Sequence, residues 1–309
     1  MSDVIDDLGE LLSDLHRPTP YPARTELFHY TGPDGLLGIL KSGEVHATHY
    51  RFLNDREEML GAEKIILGVA QRLQQAPDVS QVWRNLMADF VRRYPTISMT
   101  KVVEAYVASF TTKGNVLSQW RAYGASGAGY SLGFTDLHLP TSHPADHVAA
   151  VDVLAIDLHE CEYDGASFAA TVEATFRTVL IAFDQVCPTT DRARLPELGR
   201  EVQRHLFRSV ARLVPRLKHG AFIEEREWRL VALLVDPGRG NFKVTPTRGL
   251  VPYVAIPIAR KGDRMTLSKV WVGSTVDPEA GTAAAKGLLT SNGYSNREQL
   301  VEWSGIPLW

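Results

Sequence analysis

The chain has 309 residues, 44% of them hydrophobic and 22% charged, with a formal net charge of −3. That composition suits a folded, water-facing protein, and the slight acidity excludes a global basic field that would gather nucleic acid or an anionic membrane. Cys161 and Cys187 are the only cysteines, too few for a disulfide scaffold or a cysteine metal site, and they predict a reducing, cytoplasmic setting.

Val4, Ile5, Leu8, Leu11, Leu12 and Leu15 recur at helical spacing, so the chain is expected to open with an amphipathic helix. Pro18, Pro20 and Pro22 end it, giving an N-terminal helix and proline-rich connector over 1–22. "ELFHYT" reads as a strand, "PDGLLGILKSG" as a helix begun by Pro33 and stopped by Gly43, and "EVHATHYRFLND" as extended. A helix follows from "DREEM", where Asp55 can cap and Glu58 can return a capping-box bond. Another helix is expected over about 79–94. Strand "AYVASFT", helix "VLSQWRAYG" and strand "GYSLGF" come next, and "HVAAVDVLAID" with "ECEYD" reads as a hairpin or meander. Two long helices fill a helical insertion at 165–219. The closing third is expected to be strands at "FIEEREWRLVALLV", "LVPYVAIPI" and "LSKVWVGSTV", then a helix opened by Asp277 and Pro278. No linker interrupts this order, so 1–309 reads as one α+β domain. No apolar run is expected to reach membrane-spanning length, the longest being the strand-sized "RLVALLV".

Phosphate-loop, nucleophile-elbow and His-Glu-x-x-His motifs are absent. His46 and His49 would point to opposite faces of an extended segment, which argues against a metal pair and predicts two partly exposed histidines. A strand period of two aligns Leu27, His29 and Thr31; Val107, Ser109 and Thr111; and Glu225, Glu227 and Arg229. Carboxylates at the mouth of an apolar strand must be paired or useful. An ion pair of Glu227 with a nearby arginine is one account. A hydrogen-bonded core histidine is the corresponding account of His29, ordinary sheet hydroxyls of Ser109 and Thr111, and a helix cap of Asn54, Asp55 and Glu58.

Together, "LFHYTGPDGLLGILKSGEVHATHYRFLND", "SFTTKGNVLSQWRAYGASGAGYSLGF", "FIEEREWRLV" and "KVWVGS" resemble the bacterial domain-of-unknown-function 2971 family, whose name carries no activity. The order His, then Ser-x-Thr, then Glu-x-Glu is similar to the ADP-ribosyltransferase superfamily. That resemblance implies split antiparallel β-sheets around a cleft with flanking helices, with NAD as co-substrate and no metal. It implies that His29 meets a ribose hydroxyl, that Ser109 and Thr111 brace the ribose and the strand, and that Trp120 or Tyr123 stacks on nicotinamide. Glu227 would be the key carboxylate and Glu225 would orient the acceptor, with the two exchanged if the register differs by two. Tyr30, Thr31, Phe110 and Asn54 would line the cleft. Such a site suits an oxocarbenium-like transition state, which a fixed carboxylate stabilises, and a cationic nicotinamide, which an aromatic face attracts.

The leading expectation is therefore ADP-ribosyl transfer to a macromolecular acceptor, or NAD hydrolysis, in the manner of a toxin or anti-phage effector that binds no membrane. A non-catalytic nucleotide- or protein-binding module is the first alternative. The second is a nucleic-acid-directed enzyme using the basic stretch 192–218, where Arg200, Arg204, Arg208, Arg212 and Arg216 recur every four residues.

Overall fold

The computed structural model describes residues 4–307 apart from 17–20, 22–23, 54–55, 98–103, 125–127, 140–152, 235–239, 246–247, 261 and 276. Helix α1 (Val4–Leu11) opens the chain. Strand β1 (Leu27–Thr31) runs into α2 (Pro33–Ser42), which starts on Pro33, where no N–H is needed, and ends at Gly43, whose φ of 71° favours a residue without a Cβ. Then come β2 (Glu44–His49), α3 (Arg56–Gln75), α4 (Gln81–Ile97), β3 (Glu104–Thr111), α5 (Leu117–Tyr123) and β4 (Tyr130–Phe134). Strand β5 (Val153–Glu160) precedes the long helices α6 (Gly165–Val186) and α7 (Leu195–Leu213). A 3-10 segment, Gly220–Glu225, leads into β6 (Glu227–Leu234). The chain closes with β7 (Asn241–Thr245), β8 (Gly249–Pro257), β9 (Leu267–Val272), α8 (Pro278–Ser291), α9 (Arg297–Leu300) and β10 (Val301–Trp303).

All ten strands join one mixed sheet in the order β10-β9-β4-β1-β3-β2-β8-β7, with β6 on the other edge of β3 and β5 beyond β6. Pairing is antiparallel except between β9 and β10. The expected pair of split sheets is thus one continuous α+β sheet with flanking helices. It does fork. β6 pairs with β3 along its whole length, from Glu104 opposite Leu234 to Thr111 opposite Glu227. On its other edge β3 meets β1 only at Thr111 and β2 only at Val107 and Tyr106. Ala108, Ser109 and Phe110 have no strand partner on that edge, and the gap between β1 and β2 opens there.

Alternation along β3 and β6 feeds two cores. Ala105, Val107, Val231 and Leu233 face a bundle of α1, α3, α4, α6 and α7, while Tyr106, Phe110, Leu230 and Ala232 face the side covered by α2 and α8. The helices of 165–219 therefore help build one of the two main cores. Gly165–Thr189 is long and apolar enough by length and composition to cross a bilayer, which corrects the expectation of no such run. In this fold one of its faces, including Phe168, Val172, Phe176, Leu180 and Phe183, is buried within that bundle.

Three local expectations also change. Of the segment expected as a hairpin, 147–152 lie outside the described residues, and Val153–Glu160 form a single strand, β5, whose neighbour in the sheet is β6. His49 is buried and bonded to Glu104, whereas His46 is exposed and stacked on Tyr253, so only His46 is the exposed histidine expected. Glu58, expected to return a capping-box bond to Asp55, which lies outside the described residues, is buried. Its carboxylate accepts from Arg229 at 2.7 Å and from the His219 N–H at 2.9 Å.

Candidate functional site

The gap beside β3 is the mouth of a cavity of about 560 Å³, lined by His29, Tyr30 and Thr31 of β1, Ser109, Phe110 and Thr111 of β3, and Tyr123, Glu225 and Glu227. The β1 strand is short and apolar at its start, so His29 falls where β1 leaves β3. Its ring replaces the missing ladder bond, with Nδ1 lying 2.9 Å from the Ser109 carbonyl. A carbonyl only accepts, so Nδ1 carries the proton and Nε2 keeps its lone pair. Burial pushes the imidazole down from its ordinary value; the Ser109 carbonyl partly offsets this and nearby Lys243 adds to it. The ring is therefore neutral at neutral pH, and Nε2 is suited to accept a ligand hydroxyl.

Ser109 links this histidine to the carboxylate. Its hydroxyl donates to Glu227 Oε1 at 2.6 Å, so His29, Ser109 and Glu227 form one hydrogen-bonded series across the gap. Behind Glu227 stands a buried ion cluster. Arg229, 2% exposed, reaches Glu227 at 3.1 Å and Glu58 at 2.7 Å, and it also donates to the carbonyls of Pro215 and Leu217. Lys218, 1% exposed, sits 2.6 Å from Glu227 and 3.1 Å from Glu225. The expected Glu227–arginine pair is present, and it coexists with the cleft position.

Burial alone would raise the Glu227 carboxyl, but Arg229 and Lys218 outweigh it and hold the group at about 2. The same carboxylates raise Lys218 and Arg229 against the opposite pull of burial. Because the folded value of Glu227 lies below the ordinary 4.5, its contribution to stability is complete above that value and is lost as pH falls toward about 2. Urea midpoints followed from about pH 5 down to about pH 2 are expected to fall more steeply for the wild type than for Glu227→Gln.

Several predicted residues take other places. Glu225 does not continue the strand. It ends the 3-10 segment, and Arg226 beyond it adopts a left-handed φ of 46°, which breaks the period of two. Glu225 still reaches the cleft because the turn folds it back beside Lys218. The Thr111 hydroxyl donates to the Glu225 carbonyl at 2.6 Å, so it braces that turn while Thr111 lines the cavity. Tyr30 clamps the loop before α5, donating to the Lys113 carbonyl and accepting from the Val116 N–H. Trp120 is fully buried, edge-on to Tyr30, with its indole N–H bonded to Asn115. It anchors α5 and is not among the residues lining the cleft, whereas Tyr123 is. Asn54 and its companion Asp55 lie outside the described residues.

The basic stretch does not form a stripe. Arg194 pairs with Glu197, Arg204 with Glu201, Arg212 with Asp157 and Arg216 with Glu162, and Lys218 is buried in the Glu225–Glu227 cluster, while Arg192, Arg200, Arg204 and Arg208 are exposed. A four-residue spacing drifts around a helix, and this helix ends at Leu213.

Residues 119–230 match the family model described as Protein of unknown function (DUF2971). No curated protein and no solved structure matches the chain. The DUF2971 match takes in the end of α5 with Tyr123, both long helices, Lys218 and the Glu225–Arg229 segment. It stops short of His29 and Ser109, which reach the cleft from outside the matched residues.

Two cleft residues escaped sequence reasoning. Gln119 is 5% exposed, and its amide nitrogen has no partner among the described residues, although it lines the cavity. Lys243 lies on β7, a strand that a short polar pentapeptide did not announce. No motif marks either residue; only the closure of the sheet places them.

Proposed function

We propose that the cleft binds NAD and supports ADP-ribosyl transfer to a macromolecular acceptor, or hydrolysis of NAD. The observation that carries this reading is the His29–Ser109–Glu227 series lining one cavity at the fork of the sheet. It is the constellation by which the chain resembles the ADP-ribosyltransferase superfamily. In this reading His29 Nε2 accepts a ribose hydroxyl and Tyr123 packs against the nicotinamide ring. The bond between ribose C1′ and the nicotinamide nitrogen breaks, and its electron pair leaves with nicotinamide. The oxocarbenium character left on the ribose is stabilised by the fixed negative charge of Glu227. An acceptor hydroxyl, amine or water then bonds to C1′ and releases its proton to solvent. A cytoplasmic chain with this chemistry would have the capacity of a toxin or antiviral effector, because NAD and its acceptors are present there.

NAD labelled in the nicotinamide ring or in the adenylate, incubated with the protein and cell extract, tests the reading. Nicotinamide release or label transfer is expected from the wild type. Ser109→Ala removes one hydrogen bond to Glu227 and leaves the ion cluster in place; it is expected to slow turnover by about ten- to a hundredfold with an unchanged fold. Absence of both release and transfer from the wild type, across acceptors and pH, would sink the reading.

A second reading has its own observation. Glu227 already accepts from Ser109, Lys218 and two nitrogens of Arg229. A carboxylate so engaged has little capacity left for a ribose hydroxyl, which favours a cleft that binds a nucleotide without consuming it. Saturable NAD binding without nicotinamide release would select this reading.

A further inference from the structure

A second chamber of about 390 Å³ adjoins the first and contains Phe52, Arg229, Arg248 and Val251. The two chambers share Lys243 and Thr48 on one side and Ser109, Tyr123 and Glu227 on the other. Lys243 therefore stands at their junction. From edge strand β7 its side chain crosses β8, passes 5.6 Å from the centre of the Tyr253 ring, and donates to the Thr48 hydroxyl of β2 at 3.2 Å. Both of these partners are neutral. The other two cleft-side cations near the carboxylates, Lys218 and Arg229, are committed to Glu225, Glu227 and Glu58.

Among the described residues the half-buried Lys243 ammonium has only neutral partners, so it has lost hydration without gaining a counter-charge. Burial lowers its pKa. Beside it, His46 is stacked on Tyr253 at 4.0 Å between ring centres, so a rigid aromatic wall flanks the lysine. We infer that Lys243, with Thr48, forms a diphosphate subsite at the junction of the chambers, placing the two halves of a dinucleotide on either side. The inference rests on the NAD reading for the identity of the whole ligand. The subsite itself requires only a nucleoside diphosphate.

Calorimetric titration of the full chain with ADP, ADP-ribose, inorganic pyrophosphate and uncharged adenosine tests the subsite without any turnover. ADP and ADP-ribose are expected to bind, with affinity falling as salt rises. Lys243→Ala is expected to weaken both by about ten- to a hundredfold, with adenosine unaffected and with partial recovery in Lys243→Arg. Binding of pyrophosphate would place the affinity in the diphosphate alone; binding of ADP but not pyrophosphate would place it in the nucleotide as a unit, and Lys243 would still be required. Equal ADP affinity in the wild type and in a folded Lys243→Ala variant would overturn the subsite, as would failure of the wild type to bind any diphosphate. Lysine-dependent ADP binding without NAD turnover would retain the subsite and reject the reaction. Turnover of NAD with an unchanged KM in Lys243→Ala would do the reverse.

Discussion

Replacing Arg229 by alanine is expected to destabilise the fold by about 3–5 kcal/mol, more than a typical single substitution. The guanidinium is 2% exposed and links Glu227 at the start of β6 to Glu58 of α3. It also donates to the carbonyls of Pro215 and Leu217, which fixes the turn that follows α7. Alanine would leave Glu227 with Lys218, remove the guanidinium partner of buried Glu58, and take one donor from each of two carbonyls. Lysine is expected to rescue little, because a single ammonium cannot reach both carboxylates and the turn together. Urea unfolding reads the effect as a lowered midpoint with an unchanged slope. A midpoint within experimental scatter of the wild type would show that the cluster is energetically idle.

The second large effect concerns Glu227→Gln. The substitution keeps the shape and removes the charge, so under the NAD reading turnover is expected to fall by about a hundred- to a thousandfold while NAD still binds. The same change leaves Lys218 with Glu225 as its carboxylate partner and Arg229 with Glu58, so some loss of stability accompanies it. Ser109→Ala separates the two consequences, since it touches Glu227 without removing a charge. If Glu227→Gln lowers the melting temperature yet turns over NAD at the wild-type rate, Glu227 is a structural ion and Glu225 becomes the carboxylate to examine. Glu225 lies at the end of a turn and faces the same cleft.

The strand periodicity of "LFHYT" and "VASFT" was enough to align His29 with Thr31 and Ser109 with Thr111, because a strand's side chains alternate wherever the strand lies. The same rule failed at "EEREW". A left-handed residue, Arg226, separates Glu225 from β6, and no local pattern distinguishes that turn from the first residues of a strand. Trp120 and Tyr123 were equal candidates in sequence. Packing separated them, since Tyr30 and Asn115 bury the tryptophan. The basic residues of 192–218 read as one face only while their acidic partners, Asp157 and Glu162 on a distant segment, were out of view.

Local pattern by itself therefore determined which segments form strands and helices in the first third of the chain, the caps at Pro33 and Gly43, and the polar strand positions His29 and Ser109. Hydrophobic period and backbone preference act over a few residues and survive in any fold that contains the segment. Only the tertiary structure decided that β1 and β2 leave β3 at different points, that His29 bridges the resulting gap, that Glu227 is held by Lys218 and Arg229, and that Lys243 reaches Thr48 across β8. Each of those contacts joins residues distant along the chain, and no short-range preference encodes a charge's partner or a sheet's fork.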